Sequence, residues 1–294
     1  MLISLPKVCG IYRYNVSLSK VTWLNVGGQA DVLFKPRDVE DLMCLIKDTE
    51  LPISIIGATS NIIVQDSGIR GITVKLGKEF AYIKCKGNNS IVAGGAALLS
   101  NLAYFAGEQK ISGLEFLAGI PGTVGGGIEM NAGAYGSDVA SVVKFIRAVN
   151  LEDGNLYEFS SEEMGYFYRG HSLEGRWIFI EAEFKGVSSE YELILQRLKK
   201  VIDKKNKSQP VRGNTAGCIF KNPIGCKAWK LIDESGCRGL SNGRAKISKK
   251  HCNFLLNYNN ATAFDLENIG NRVKDAVKDK FNIELEWEIR VLGG

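Results

Sequence analysis

Residues 119–136, which read GIPGTVGGGIEMNAGAYG, carry the strongest structural signal in this 294-residue chain. Glycine fills seven of these eighteen positions, a density that both helices and strands disfavour. We therefore expect the backbone to turn sharply here or to approach a bound group closely, such as a pyrophosphate or a flat ring. A long flexible surface loop is the alternative, but the apolar residues Ile120, Val124, Ile128 and Met130 favour burial.

An earlier tract of small residues, Gly57-Ala58-Thr59-Ser60-Asn61, lies about 60 residues before residues 119–136. In chain order it is the first tract, and residues 119–136 are the second. The first tract follows a predicted strand, and a turn of this kind exposes backbone N–H groups that hold phosphate. Taken alone, the tract is weak evidence, and it is more typical of a plain turn between strands. Neither tract matches the G-x-G-x-x-G fingerprint or a P-loop, so a different fold would have to hold a dinucleotide.

The elements around these tracts mix helices and strands, which indicates an α+β fold. The first region, 1–75, has a predicted helix over 35–50 and strands over 52–56, 62–64 and 71–76. The second region, 76–187, has a strand over 90–93, a helix over 97–108, strands over 143–150 and 177–184, and a hairpin turn at Asp153-Gly154. The third region, 188–294, has helices over 190–205 and 263–280, a polar loop over 204–215 and a closing strand over 283–291.

Composition and charge exclude several classes of protein. Hydrophobic residues make up 45% of the chain and charged residues 23%, as in ordinary globular proteins. The net charge of +5 is mild, and its one dense basic run, 197–207, is typical of a solvated helix face, so we expect no nucleic-acid partner. No stretch approaches 18 apolar residues, so no membrane insertion is expected.

The cysteines and histidines do not form a metal motif. The seven cysteines include no Cys-x-x-Cys pair, and the chain has two histidines, His171 and His251. We therefore predict no metal site. Scattered free thiols favour a reducing compartment, which indicates a cytoplasmic protein.

Taken together, the two tracts resemble the FAD-binding module of the vanillyl-alcohol-oxidase superfamily. Further motifs, in the same order and over nearly the whole chain, resemble the UDP-N-acetylmuramate dehydrogenase family, also called UDP-N-acetylenolpyruvoylglucosamine reductases. The chain resembles the shorter type of this family because it has no room for the longer type's insertion. The motifs are Ser60-Asn61-Ile62-Ile63-Val64, Tyr168-Arg169, Gly217-Cys218-Ile219-Phe220-Lys221-Asn222-Pro223, Ile247-Ser248-Lys249-Lys250-His251-Cys252-Asn253-Phe254 and Leu285-Glu286-Trp287-Glu288-Ile289-Arg290.

The resemblance implies a two-part FAD-binding module, with subdomains 1–75 and 76–187. An α+β substrate-binding domain, 188–294, would follow, and its C-terminal strand would contribute to the active site. It further implies non-covalent FAD, NADPH as reductant, a nucleotide-sugar substrate and a monomer. The implied cofactor-binding residues are Gly57, Ala58, Thr59, Ser60, Asn61, Ile120, Pro121, Gly122, Thr123, Gly125 and Gly126.

The implied reaction is reduction of the enolpyruvyl group of UDP-N-acetyl-3-O-(1-carboxyvinyl)-glucosamine to UDP-N-acetylmuramate, a peptidoglycan precursor. Hydride passes from flavin N5 to C3, and a proton is added at C2. Arg169 matches the family's arginine that stabilises the developing enolate, and Glu288 matches its C-terminal acid. Cys218 takes the position of the proton donor, and Lys221 and Asn222 would bind polar groups of the substrate.

Several positions depart from the family pattern. Cys218 stands where most members have serine, and a thiol still has a proton to give. Ala58-Thr59 stands where glycine is frequent, and Gly127 where alanine is usual. We interpret His171 as an ordinary surface histidine. The basic loop 204–212 is a candidate contact for the UDP diphosphate of the substrate, and a solvated lysine face explains it equally well.

Two other functions remain open at this stage. A flavin oxidase of small alcohols would keep the fold, but it needs no proton donor such as Cys218. A basic nucleotide- or RNA-binding module would need no catalysis, and its affinity would fall steeply with salt.

Overall fold

The computed structural model describes residues 5–210 and 214–294, so Arg212 of the predicted basic loop lies outside the described residues. The chain forms two compact units. The first unit consists of residues 5–13, 32–58 and 71–203, and the second of residues 14–31, 59–70, 204–210 and 214–294.

The helices and strands are numbered in chain order. The helices are α1 Val39–Asp48, α2 Leu99–Glu108, α3 Val124–Glu129, α4 Tyr191–Ser208, α5 Ala228–Glu234 and α6 Ala263–Phe281. The strands are β1 Ile11–Ser17, β2 Gln29–Lys35, β3 Ile53–Ile55, β4 Ile62–Val64, β5 Ile69–Val74, β6 Ile83–Gly87, β7 Ser90–Gly94, β8 Ile111–Ser112, β9 Gly133–Ala134, β10 Ser137–Asp138, β11 Val143–Asn150, β12 Leu156–Ser160, β13 Trp177–Lys185, β14 Val187–Ser188, β15 Ala245–Ile247, β16 Leu255–Asn257 and β17 Arg290–Leu292.

A five-stranded antiparallel sheet organises the first unit, in the order β12-β11-β13-β7-β6. On its central strand β13, Ile178 and Ile180 pack into one core with residues of α1, whereas Phe179, Ala182 and Phe184 pack into another. Helices α2 and α3 supply further residues to the same core. The predicted hairpin at Asp153-Gly154 is confirmed, because β11 and β12 pair around it.

Most of a second sheet, in the order β1-β2-β5-β3, also belongs to the first unit. Its strands β3 and β5 are parallel, and α1 contributes Leu42, Leu45 and Ile46 to their core. This helix begins at Val39, four residues later than predicted, because the Asp38 side chain caps it by accepting a hydrogen bond from the Asp41 N–H at 2.8 Å.

The second unit is built around α5, α6 and the β15-β16 hairpin. Helix α6 begins with a capping box formed by Thr262 and Asp265. The Asp66 carboxylate also accepts from the N–H groups of Ala263 and Phe264. Strand β17 pairs in parallel with β4, which ties the end of the chain to the segment that follows the first glycine tract.

Three predictions about elements are wrong. The glycine-rich tract contains a helix, α3, because Thr123 caps it and Val124 and Ile128 anchor it in the core. The predicted loop 204–215 begins later, since α4 continues to Ser208. The predicted strand 283–291 is a strand only from Arg290, because the preceding backbone forms just an isolated bridge, between Trp287 and Phe220, although Leu285 and Ile289 share a buried face as the alternation predicts.

Candidate active site

The first unit brings Gly57 of one predicted cofactor tract against Thr123 of the other. A Cβ added to Gly57 would lie 2.8 Å from Oγ1 of Thr123, so only glycine allows this approach without a shift. The Thr123 oxygen also accepts from the Gly126 N–H at 3.3 Å. Gly57 and Thr123, both predicted to contact one dinucleotide, are therefore neighbours, although about 60 positions separate them.

The glycines of residues 119–136 serve two different needs. A Cβ on Gly125 would lie 2.8 Å from the Phe179 carbonyl oxygen, and one on Gly127 would lie 3.0 Å from Leu99. Packing against the Phe179 backbone requires Gly125, whereas a Cβ on Gly127 would require only a small shift of the Leu99 side chain. Gly126 is exposed and meets only Thr123, at 3.4 Å, which leaves its backbone accessible to a bound group.

Thr59 takes the conformation that glycine would prefer at the first tract. Its φ is +59°, in the left-handed region that β-branched residues rarely adopt. The residue is 4% exposed, and its hydroxyl donates to the Val21 carbonyl oxygen at 2.7 Å. That bond offsets part of the strain, so the turn keeps a glycine-like backbone without glycine.

Lys75 was not predicted as a site residue, yet it contacts the first tract. Its Nζ donates a hydrogen bond to the Gly57 carbonyl oxygen. The residue is half-buried, and burial lowers the pKa of Lys75, with the charge of Lys35 as a further cause. The sequence did contain one signal for this residue, since a lysine directly follows the apolar strand β5.

Arg169 lies in a tight hairpin of the first unit. The N–H and C=O groups of Phe167 and Gly170 bond each other at 3.0 and 3.2 Å. This leaves Arg169 within the turn at φ +62°. Its guanidinium donates to the Gly133 carbonyl oxygen at 3.1 Å and lies 5.1 Å from the Tyr168 ring centroid. The side chain of Asn131 donates to the Phe167 carbonyl oxygen at 3.0 Å, so the glycine-rich tract holds this hairpin.

The interpretation of His171 as a surface residue is wrong. Its side chain is 11% exposed, and Nε2 lies 3.4 Å from the Glu129 carboxylate. The ring packs edge-on against Phe179 and Tyr166. Burial raises the pKa of Tyr166, and the charges of Glu129 and Asp138 raise it further. The aromatic packing draws His171 inward, a long-range effect that its polar sequence neighbours did not indicate.

Cys218 lies in the second unit, on a segment held by Asn253. Residues Cys218 and Phe254 form an antiparallel bridge, and the Ile219 N–H donates to the Asn253 carbonyl oxygen at 2.9 Å. The Asn253 side chain accepts from the Phe220 N–H at 3.0 Å and donates to the Phe220 carbonyl oxygen at 2.8 Å. Cys218 itself is half-buried and forms no disulfide bond.

Glu288 is brought next to the Cys218 segment by its backbone. Its N–H donates to the Ile219 carbonyl oxygen at 2.7 Å. The Asn61 side chain donates to the Glu288 carbonyl oxygen at 3.0 Å, and the Arg290 N–H donates to the Asn61 carbonyl oxygen at 3.1 Å. Three predicted site residues, Asn61, Cys218 and Glu288, therefore belong to one hydrogen-bonded cluster of the second unit.

Two further candidates make contacts within the second unit. Lys221 Nζ lies 3.3 Å from the carboxylate of Glu286, whose side chain is 74% exposed. Asn222 accepts from the Ala228 N–H at 3.0 Å, at the start of α5. Asn222 thus orders the backbone at the start of α5, and Glu286 differs from the half-buried Glu288 in facing solvent.

The described residues, 5–210 and 214–294, contain no cluster of three or more His, Cys, Asp or Glu side chains arranged for a metal ion. Over the same part of the chain, every helix is too short or too polar to cross a bilayer.

Comparison with known proteins places this arrangement in a class. The model of the FAD binding domain family matches residues 31–160. The crystal structure of UDP-N-acetylenolpyruvylglucosamine reductase from Thermus caldophilus aligns with a TM-score of 0.84 and 34% identity, and covers 98% of this chain and 100% of that one. The fold is therefore α+β with an FAD-binding part of the vanillyl-alcohol-oxidase type, and the protein is an FAD-dependent oxidoreductase.

The family follows from the remaining comparisons. The model of the UDP-N-acetylenolpyruvoylglucosamine reductase C-terminal domain matches residues 209–292. The reductase of that name from Wolbachia pipientis subsp. Culex pipiens (strain wPip) is 94% identical over 293 residues, 100% of both chains. The one from Anaplasma marginale (strain St. Maries) is 56% identical over 290 residues, which are 99% of this chain and 96% of that one. The chain belongs to the family of UDP-N-acetylenolpyruvoylglucosamine reductases.

Proposed function

We propose that this protein reduces UDP-N-acetyl-3-O-(1-carboxyvinyl)-glucosamine to UDP-N-acetylmuramate, with NADPH as the source of electrons and Cys218 as the proton donor. The observation that carries the proposal is the cluster around Ile219. The Ile219 carbonyl oxygen accepts a hydrogen bond from the Glu288 N–H at 2.7 Å, and Ile219 directly follows Cys218 in the chain. The backbone segments that carry an acid and a thiol, which are distant in the sequence, are thereby held close to each other.

The residues of the two tracts fit FAD. Gly57 and Thr123 lie against each other, and the exposed Gly126 leaves backbone accessible beside them. Backbone N–H groups of such turns suit a diphosphate. We assign the FAD contacts to 57–61, 120–123, Gly125 and Gly126. Bound there without a covalent link, FAD would supply hydride to the vinyl carbon.

Arg169 would bind the carboxylate of the enolpyruvyl group. Its planar guanidinium suits a carboxylate and the charge that develops on it during the reaction. The Phe167–Gly170 hydrogen bonds and the Gly133 carbonyl oxygen hold the guanidinium in one place. A donor fixed in advance stabilises developing charge without reorganising.

Cys218 would donate the proton from Sγ to C2, and Glu288 would hydrogen-bond the carboxylate region in its protonated form. A thiol is a stronger acid than the hydroxyl of serine, so the replacement preserves the role. Lys221 and Asn222 would bind polar groups of the substrate. The pairing of Lys221 with the exposed Glu286 would then give way to a contact with the substrate.

The remaining parts of the proposal follow from the family. The module for FAD would extend to residue 187 in two subdomains divided at residues 75 and 76, and the substrate-binding domain would begin at residue 188. The protein would act as a cytoplasmic monomer in peptidoglycan precursor synthesis.

Stopped-flow absorbance tests the proposal. The purified protein should be yellow, NADPH should bleach the flavin band, and the enolpyruvyl nucleotide sugar should restore it with formation of UDP-N-acetylmuramate. Reoxidation by oxygen alone, with no response to the nucleotide sugar, would refute the substrate assignment. A folded, colourless protein that takes up no FAD would refute the flavin function as a whole.

A further inference from the structure

Lys75 lies where the two glycine tracts meet, and the mechanism leaves it unused. Its Nζ bonds the carbonyl oxygen of Gly57, the residue that faces Thr123. An ammonium group has three N–H donors. Within residues 5–210 and 214–294, Gly57 provides the one acceptor for them, so the protein leaves two donors for another group.

The charges around Lys75 are unbalanced. Burial is the largest cause that lowers the pKa of Lys75, and the second is the cation Lys35. No acidic side chain of the described residues counters these two effects. A partly desolvated cation without a counter-ion is unfavourable. We therefore expect the group that binds beside Lys75 to be an anion.

We propose that Lys75 provides the positive charge that neutralises the diphosphate of bound FAD. The inference rests on the proposed flavin function and deepens it. Backbone N–H groups of the two tracts offer partial charges to the diphosphate, whereas a lysine adds a full charge on a flexible stem. The hydrogen bond to Gly57 holds that charge beside the first tract.

A purely structural role is the competing explanation. Lys75 would then serve only to hold the Gly57 peptide in place. Such a role predicts that loss of the ammonium disturbs the turn for every flavin. Charge neutralisation predicts instead that only flavins with a diphosphate lose affinity.

The test compares the Lys75→Met and Lys78→Met variants as apo-proteins titrated with FAD and with riboflavin, followed by flavin fluorescence. Lys78→Met is a matched control, since it removes the same charge three positions away from a side chain that is 92% exposed. For Lys75→Met we expect the Kd of FAD to rise about 10- to 150-fold, as for a lost hydrogen bond to a charged group. The Kd of riboflavin and the Tm of the apo-protein should stay near the wild-type values.

Two results would overturn the proposal. One is a Kd of FAD in Lys75→Met close to that of Lys78→Met. The other is an equal loss of affinity for riboflavin, which has no phosphate. Failure of the wild-type protein to bind FAD is a separate outcome, because it would reject the flavin function before Lys75 is considered.

Discussion

Two buried asparagines, Asn131 in the first unit and Asn253 in the second, hold the segments that carry the candidate catalytic residues. Each is 3% exposed, and each bonds backbone groups of a distant segment. Asn253 pairs with both polar groups of Phe220, which is 1% exposed. Asn131 bonds Phe167, whose hairpin is exposed, and accepts from the Ala140 N–H at 3.0 Å.

The surroundings of the two asparagines determine what each contributes. The groups bonded by Asn253 are buried and have no access to water, so an unmade bond there carries the full desolvation penalty. The hairpin bonded by Asn131 is open to solvent, and water is able to replace the lost partner. The Cys218 segment is therefore part of a folded core, whereas the Arg169 hairpin is a positioned surface element. In the proposed mechanism, the proton donor Cys218 lies on the core segment and Arg169, which would bind the carboxylate, lies on the solvent-exposed hairpin.

The largest effect is expected at the rigid segment. Cys218→Ala should lower product formation by about 100- to 10,000-fold, the range for loss of a general acid, while Cys218→Ser keeps measurable turnover. Flavin reduction by NADPH should be the same in both variants, since it needs no proton from residue 218. Stopped-flow measurement of both half-reactions separates these steps.

Unimpaired turnover in Cys218→Ala would remove Cys218 from the proton-donor role. Slow flavin reduction in both variants would instead indicate that the substitutions disturb the cofactor site.

A smaller effect is expected at the hairpin. Arg169→Lys keeps the charge but loses the planar fork, and we expect kcat/KM to fall about 100-fold, as for loss of one oxyanion donor. The Kd of FAD should not change. Arg147→Lys is the matched control, because Arg147 pairs with Glu158 and Glu181 on the five-stranded sheet. Equal kcat/KM values for the two variants would argue against the assignment of Arg169.

The two regions also differ in how far the sequence predicts them. Residues 119–136 were predicted as a close approach of backbone, because glycine density acts locally on the conformations available to the chain. The finer result, that Gly125 serves internal packing, depends on Phe179 and has no local signal. The helix α3 within the tract was missed for the same reason.

The Cys218 segment has no compositional signal at all. It was found only through the resemblance of its motif, and its link to Glu288 passes through one backbone hydrogen bond about 70 positions away. Lys75 and His171 were missed or misread because burial by distant residues, and not their own neighbours in the chain, determines their surroundings. Helices and strands with regular apolar spacing, such as α1, α6 and β11, were predicted close to their observed bounds.

Stability measurements sharpen the comparison of the asparagines. Asn253→Ala should lower the free energy of unfolding of the apo-protein by about 2–3 kcal/mol, because two buried groups of Phe220 lose their partners. Asn131→Gly should lower it by about 1 kcal/mol, since water replaces the lost bonds. Urea denaturation measures both values. Equal losses would mean that the hydrogen bonds of Asn131 to the hairpin contribute as much to the free energy of unfolding as the buried bonds of Asn253.

The choice between alanine and glycine provides the control. Asn131 has φ +39°, where a Cβ is unfavourable, so Asn131→Ala should be about 1 kcal/mol less stable than Asn131→Gly. Asn253 has no positive φ, so Asn253→Ala should be about 0.5–1 kcal/mol more stable than Asn253→Gly. The same sign at both positions would contradict the backbone conformations described above.

The smallest expected effect is the pH dependence of stability that is caused by His251, a neighbour of Asn253. Nδ1 of His251 accepts from the Asn253 N–H at 3.3 Å, and burial lowers the pKa of His251 below its ordinary value of 6.5, with Arg238 contributing. The unfolded chain therefore binds a proton near pH 6.5, whereas the folded protein binds it only at lower pH. The stability that His251 contributes is present above pH 6.5 and is lost as the pH falls through the folded-state pKa.

Between pH 7 and pH 5, the Tm of the wild-type protein should drop about 2 °C more than that of His251→Gln, in thermal unfolding followed by circular dichroism. Equal drops would show that protonation of His251 does not oppose folding, and the Cys218 segment would then be rigid for reasons independent of this histidine.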